Sequence, residues 1–184
     1  MESKRNKILK AALNLLNRNG VHATPMAAIA KEAGTGMGTI YNYFANKEVL
    51  INEIYLDIKK MEATLFPPFD ENEPIKTQFE NYYQIVIQFY VNNPADFQFL
   101  EQVYSSPIIT DESRAIGLKA VLPVFQLIEI GQKNRVIKSI NTSEIMQFVG
   151  GSVLAFSRWF IQDEKKDLVS MENQLRMVWD AIKE

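Results

Sequence analysis

Between positions 37 and 47 the chain sets Met37, Gly38, Thr39, Tyr41, Asn42, Tyr43 and Lys47. These side chains can donate and accept hydrogen bonds and meet an anion, but no base lies among them to activate a nucleophile. Elsewhere the chain is equally poor in reactive groups. With no cysteine it has no disulfide, thiolate metal site or cysteine nucleophile, and the single His22 leaves no histidine pair for a metal or a triad. No cofactor is implied. The chemistry on offer is recognition of a groove edge and of phosphates.

Such a set needs a short helix to display it. Ile40 and Phe44 are four residues apart and share one face, which leaves the polar and aromatic side chains on the others. Thr24 and Pro25 open a preceding helix, with Thr24 as its expected cap, and Ile29, Ala30 and Ala33 form its narrow apolar stripe. Gly34 falls where a helix ends in a left-handed residue, and Gly36 and Gly38 keep the following turn free of bulk. The result is a helix-turn-helix corner.

Charge is unevenly divided. Residues 1–47 carry seven Lys or Arg against Glu2 and Glu32, a net of +5. The remaining 13 cations and 20 anions give −7, within a total of −2. A basic head on an acidic body is the footprint of a polyanion met at one end, although chance segregation of charge also produces it. Lys47 lies in the first turn of the next helix, where the macrodipole disfavours a cation unless a phosphate shares the site. The plainer alternative is a solvated lysine balanced by Glu48.

At 184 residues, 47% hydrophobic and 23% charged, the chain can build a substantial core. Its periodicity predicts an all-α protein of about nine helices, with no strand alternation. The first runs over residues 3–19 and ends at Gly20. Asn46 caps a long fourth helix reaching residue 65, which links a head (1–47) to a body (48–184), and the proline-rich, acidic stretch 66–73 that follows is the best domain boundary in the sequence. Helices follow over 74–92 and 94–104, and from Thr110 to Lys133 with a kink near Pro123. Asn141 and Asp167 cap the last two. No uninterrupted apolar run reaches the ~18 residues of a membrane span and the N-terminus has no signal-peptide pattern, so a cytoplasmic location is expected.

In the body, Phe79, Tyr82, Tyr83, Val86, Phe89, Tyr90, Phe97, Leu100, Tyr104, Phe125 and Phe156 are candidates to line a site for an apolar or aromatic small molecule, although aromatic stripes at helical spacing also simply fill cores. The last two helices have more apolar surface than one neighbour needs. Phe148, Gly151, Val153, Leu154, Trp159, Leu175, Val178, Trp179 and Ile182 are therefore expected at a homodimer seam. Gly150 and Gly151 inside a helix point to close approach of another backbone.

The segments AALNLLNRNG and IAKEAGTGMGTIYNYFANKEVL, spanning Ile8 to Leu50, resemble the TetR family of bacterial transcriptional regulators in residue type and spacing. From about residue 66 the resemblance rests on helix number and length alone. It implies a three-helix DNA-reading head, a linking fourth helix, and a body that binds a small effector and dimerises through its last two helices. Thr39, Tyr41 and Tyr43 would then contact phosphates or base edges of double-stranded DNA, Met37 would face the groove, Lys47 would grip phosphate, and Thr24 would cap and meet the backbone. The implied function is a non-enzymatic, ligand-released repressor on a palindromic operator. An activator, a ligand-independent regulator, or a helical ligand-binding protein without DNA function are the alternatives. Ala27 stands where the family often has a polar residue, and Gly36 replaces a common capping side chain.

Overall fold

The computed structural model describes residues 3–162 and 168–184. Among them lie ten α-helices and one 3-10 turn. They are α1 (Lys4–Asn19), α2 (Met26–Glu32), α3 (Met37–Tyr43), α4 (Lys47–Ala63), α5 (Ile75–Asn92), α6 (Pro94–Val103), α7 (Asp111–Leu118), the 3-10 turn Lys119–Val121, α8 (Leu122–Lys133), α9 (Thr142–Gln162) and α10 (Leu168–Ile182). The fold is all-helical, as the periodicity predicts. The expected cap Asp167 lies outside the described residues.

The extra helix comes from Pro123. A proline in a helix interior removes one hydrogen bond and crowds the preceding turn. The stretch expected to bend is interrupted outright: the backbone tightens into the 3-10 turn Lys119–Val121, and Pro123 sits in the first turn of α8 instead of kinking a longer helix. The span Asp111–Lys133 is apolar enough by composition to cross a membrane, but it is not one continuous α-helix.

The chain forms two compact units. The first comprises residues 1–61 and 93–118, the second 62–92 and 119–184. In the first, Ile8, Ala12 and Leu16 of α1, Ile29 of α2, Ile40 of α3, Phe44, and Leu50 and Ile51 of α4 are all at most 1% exposed and make its core. The α6–α7 segment is fastened to it by polar clamps. Asn17 on α1 donates to Ala95 O (2.7 Å), while Gln98 and Gln102 donate to its own oxygens. Asn52 on α4 is buried with a full set of partners. It donates to Glu48 O and Ile108 O and accepts from the Thr110 amide and hydroxyl.

The second unit packs α5 against α8, α9 and α10, with Phe79, Ile87, Leu127, Ile128, Val153 and Trp179 inside. A part-buried polar chain crosses it. Gln174 donates to Tyr83 Oη (3.0 Å), Tyr83 is 3.0 Å from Ser152 Oγ, and Ser152 donates to Val149 O (2.7 Å). Burial raises the Tyr83 phenol above its ordinary pKa, an effect that the bonds to Ser152 and Gln174 partly offset. Residues 136–138 pair with the end of α10 through an isolated antiparallel bridge between Ile137 and Lys183.

That bridge presses Ile137 against Gly131 of α8, where an added Cβ would lie 2.6 Å from Ile137 Cδ1 and 2.8 Å from Cγ1. Ile137 is 1% exposed and has nowhere to retreat. Gly131→Ala should therefore destabilise the protein by about 1–3 kcal/mol, although alanine is the better helix former. Equilibrium urea unfolding tests this, and an unchanged or higher midpoint would refute it.

Candidate nucleic-acid interface

The α2–α3 corner is built by its glycines. Gly34 adopts φ +64°, and the Thr35 amide donates to Ala30 O (2.9 Å) while the Gly34 amide donates to Lys31 O (3.1 Å), which closes α2 with paired reversed bonds. Gly36 caps α3 with its backbone alone, its carbonyl accepting from Thr39 and Ile40. An added Cβ on Gly36 or Gly38 would meet no atom within 4 Å, so both open on free space.

Helix α3 divides as its spacing predicts. Ile40 and Phe44 are plugged into the core. Met37, Tyr41 and Tyr43 are 39%, 49% and 46% exposed, Gly38 and Asn42 are also exposed, and Thr39 is half-buried. The candidates of α3 therefore share one outward surface on a core-anchored helix. Asn46 caps α4 by accepting from the Val49 amide (2.8 Å).

Thr24 is placed differently from its sequence expectation. The N-cap of α2 is Pro25, and no side chain caps that helix. Thr24 is fully buried, with its single hydroxyl proton turned back to Gly20 O (2.9 Å) and shared with Leu15 O (3.3 Å). The Gly20 carbonyl, just past the end of α1, takes the buried hydroxyl, which therefore does not serve α2.

Lys47 also has partners within the fold. Its Nζ donates to His22 O and Thr24 O, each at 3.2 Å, which staples the start of α4 to the α1–α2 connection. Residue type carries no sign of this staple, because its acceptors are backbone carbonyls. The cations of the head are likewise not equivalent. Lys4, Lys7, Lys10, Arg18 and Lys31 are exposed. Arg5 instead binds Glu53 and Asp57 of α4 (3.0 Å to Asp57) with its guanidinium 6.0 Å from the Phe44 ring centre, and the bond to Asp57 above all raises its pKa further.

The other candidates scatter. Phe97, Leu100 and Tyr104 belong to the first unit, and Tyr104 is 59% exposed. Phe79, Tyr82, Tyr83, Val86, Phe89, Tyr90 and Phe156 are buried in the second, with Phe125 half-buried. The phenols are engaged: Tyr82 donates to Pro67 O (2.8 Å) and Tyr90 to Glu62 Oε1 (3.2 Å). Of the residues expected at a dimer seam, Val153, Leu175, Val178, Trp179 and Ile182 are buried within the chain's own core, since the helical stripe that faces α5 claims them first. Phe148, Gly151 and Trp159 stay exposed, with Leu154 half-buried. Among the described residues no atom lies within 4 Å of a Cβ built on Gly150 or Gly151, so none of them is the expected close backbone neighbour. No group of three or more His, Cys, Asp or Glu able to hold a metal occurs among the described residues.

Residues 8–54 match the family model for bacterial regulatory proteins of the tetR family, and residues 55–184 match that for the tetracyclin repressor-like C-terminal domain. An uncharacterized HTH-type transcriptional regulator of Haemophilus influenzae is 34% identical over 106 residues, which span 57% of each chain. The fatty acid metabolism regulator protein of Bacillus subtilis is 26% identical over 186 residues, covering 95% of this chain and 94% of its own. The crystal structure of a TetR family transcription regulator from Marinobacter aquaeolei VT8 shares the fold with a TM-score of 0.86 at 21% identity, over 98% of this chain and 96% of that one.

Replacing Thr24 with valine keeps its shape and removes the hydroxyl proton shared by Gly20 O and Leu15 O. A loss of about 1–3 kcal/mol is expected, because the part-buried Gly20 carbonyl loses its donor. Thermal unfolding measures it, and a variant as stable as the parent would show that the hydroxyl bonds do not hold this corner.

Proposed function

Because the chain belongs to the tetR family of bacterial regulatory proteins and is thus a helix-turn-helix transcriptional regulator, we propose that it is a homodimeric repressor released from a palindromic operator by a small apolar effector. The observation that carries the DNA-reading part is the outward surface of α3. Two phenols, an amide and a thioether are displayed on a helix anchored by Ile40 and Phe44, within the part of the chain that holds the cationic excess.

In this reading α3 enters the major groove, with Thr39, Tyr41, Asn42 and Tyr43 meeting base edges and phosphates and Met37 and Gly38 allowing close approach. Lys47 keeps its two carbonyl partners and turns its remaining N–H toward a phosphate. Thr24 acts from inside, fixing the corner through α1. The two α3 helices of a dimer would read half-sites about 34–36 Å apart. Residues 1–47 do the reading, residues 48–184 bind effector and partner, and α4 belongs to both tasks by continuity of chain. Action in the cytoplasm follows from the DNA target.

The dimer seam is assigned to the outer face of α9, where Phe148, Gly151 and Trp159 recur at intervals of three and eight residues, with Gly150 and Gly151 giving room for a second backbone. The aromatic interior of the second unit supports an apolar effector. The name of the Bacillus subtilis relative makes fatty-acid derivatives the first class to test. Effector control then follows from differential affinity for two states of the dimer.

Gel-shift titration against DNA flanking the gene tests the whole. Saturable binding to a palindrome that weakens steeply with salt is expected, whereas affinity equal to that for random DNA would refute the reading. Lys47→Ala should weaken all sequences alike and lower the salt slope by about 1, and Tyr43→Ala should weaken binding without lowering the melting temperature. Trp159→Asp should convert the dimer to a monomer in light scattering. An unchanged mass would remove α9 from the seam.

A further inference from the structure

Ser157 on α9 is wholly buried, and its Oγ has no hydrogen-bond partner. Serine in a helix commonly returns its proton to the carbonyl four residues back. Here that bond is not made. A buried hydroxyl left unpaired costs stability, and each one calls for a reason.

Its position in the second unit follows from the bonds around it. Gln174 reaches Tyr83 and Trp179 packs on Phe79, so α10 runs against α5. Thr142 at the start of α9 donates to Gln132, Gln132 donates to Lys138 O, and the Lys138 amide donates to Ile182 O. Helix α9 therefore starts where α10 ends, and runs with α5. Since Ser152 meets Tyr83, Ser157 lies roughly 7.5 Å further along, level with the turn of α5 that carries Phe89 and Tyr90. That turn is buried and largely apolar.

The surroundings also set the charge of a guest. Among the described residues the buried ionisable side chains include Glu62, bonded by Tyr90, and no lysine, arginine or histidine. An anionic head taken into this interior would lose its water and meet no buried cation. An uncharged oxygen has no such penalty, and the Ser157 proton is available to it.

We propose that Ser157 is an effector-binding residue whose hydroxyl donates to an uncharged oxygen, such as that of an ester, ketone or alcohol, on an otherwise apolar molecule. This rests on the reading of the second unit as effector-binding, and it selects neutral fatty esters over free fatty acids.

The full-length protein is titrated with methyl decanoate, decanoate and decane, followed by the fluorescence of Trp159 and Trp179 and by thermal shift. Wild type should bind methyl decanoate at least about tenfold more tightly than decanoate. Ser157→Ala should melt at or above the wild-type temperature without ligand, lose about three- to tenfold in ester affinity, and keep its affinity for decane. The proposal falls if the unliganded variant melts lower, because the hydroxyl was then satisfied. It also falls if ester affinity is unchanged, if decanoate binds as well as the ester, or if none of the three binds wild type. Operator binding by unliganded wild type is read separately. A protein that holds its operator but fails these tests loses only the Ser157 assignment, and one that binds the ester but no operator loses the regulator reading instead.

Discussion

A helix of seven residues does not keep its shape alone in water, because nucleation costs more than so few hydrogen bonds return. Helix α3 is such a helix, and most of its surface is given to display. Its order must be imported. Ile40 and Phe44 bring it from the core, the paired bonds around Gly34 fix its approach, and Asn46 starts α4 directly behind it. Thr24 and Lys47 act one step further out, by tying down the carbonyls of the α1–α2 connection. Much of the first unit is intelligible as the support of two turns of backbone.

The features that were legible in residue order are those with a local cause. The four-residue spacing of Ile40 and Phe44, the left-handed Gly34, and the caps Asn46, Thr110 and Asn141 each depend on neighbours a few positions away, and each takes the form its type predicts. What escaped depends on distant partners. Thr24 has the composition of a cap, but the Gly20 carbonyl past the end of α1 claims its hydroxyl. Apolar stripes on α9 and α10 announce burial without saying against what, so Val153 and Trp179 look like Phe148 and Trp159 until α5 takes the first pair and leaves the second outside. Pro123 signals a bend, yet whether the helix bends or breaks is decided by packing on either side.

Amides do the joining where apolar contact alone would be unspecific. Asn17 and Asn52 carry no pattern that distinguishes them from solvated residues, apart from Asn52 lying beside the apolar stripe of α4. Each satisfies groups of the segment 93–118, and the buried amide of Asn52, with all its bonds made, tolerates few alternative registers. Tyr83 has the same part in the second unit, where one phenol links α5 to both α9 and α10.

The two units are interleaved along the chain, in the order 1–61, 62–92, 93–118 and 119–184. A ribosome thus releases the DNA-reading helices long before the segment that completes their unit, and that segment cannot arrive until a helix of the other unit has been made. The same order governs exchange between relatives. A graft that cuts once after α3 or α4 transfers the displayed side chains but leaves behind the amide-bound partners of α1 and α4, so a working hybrid has to carry two separate stretches of gene.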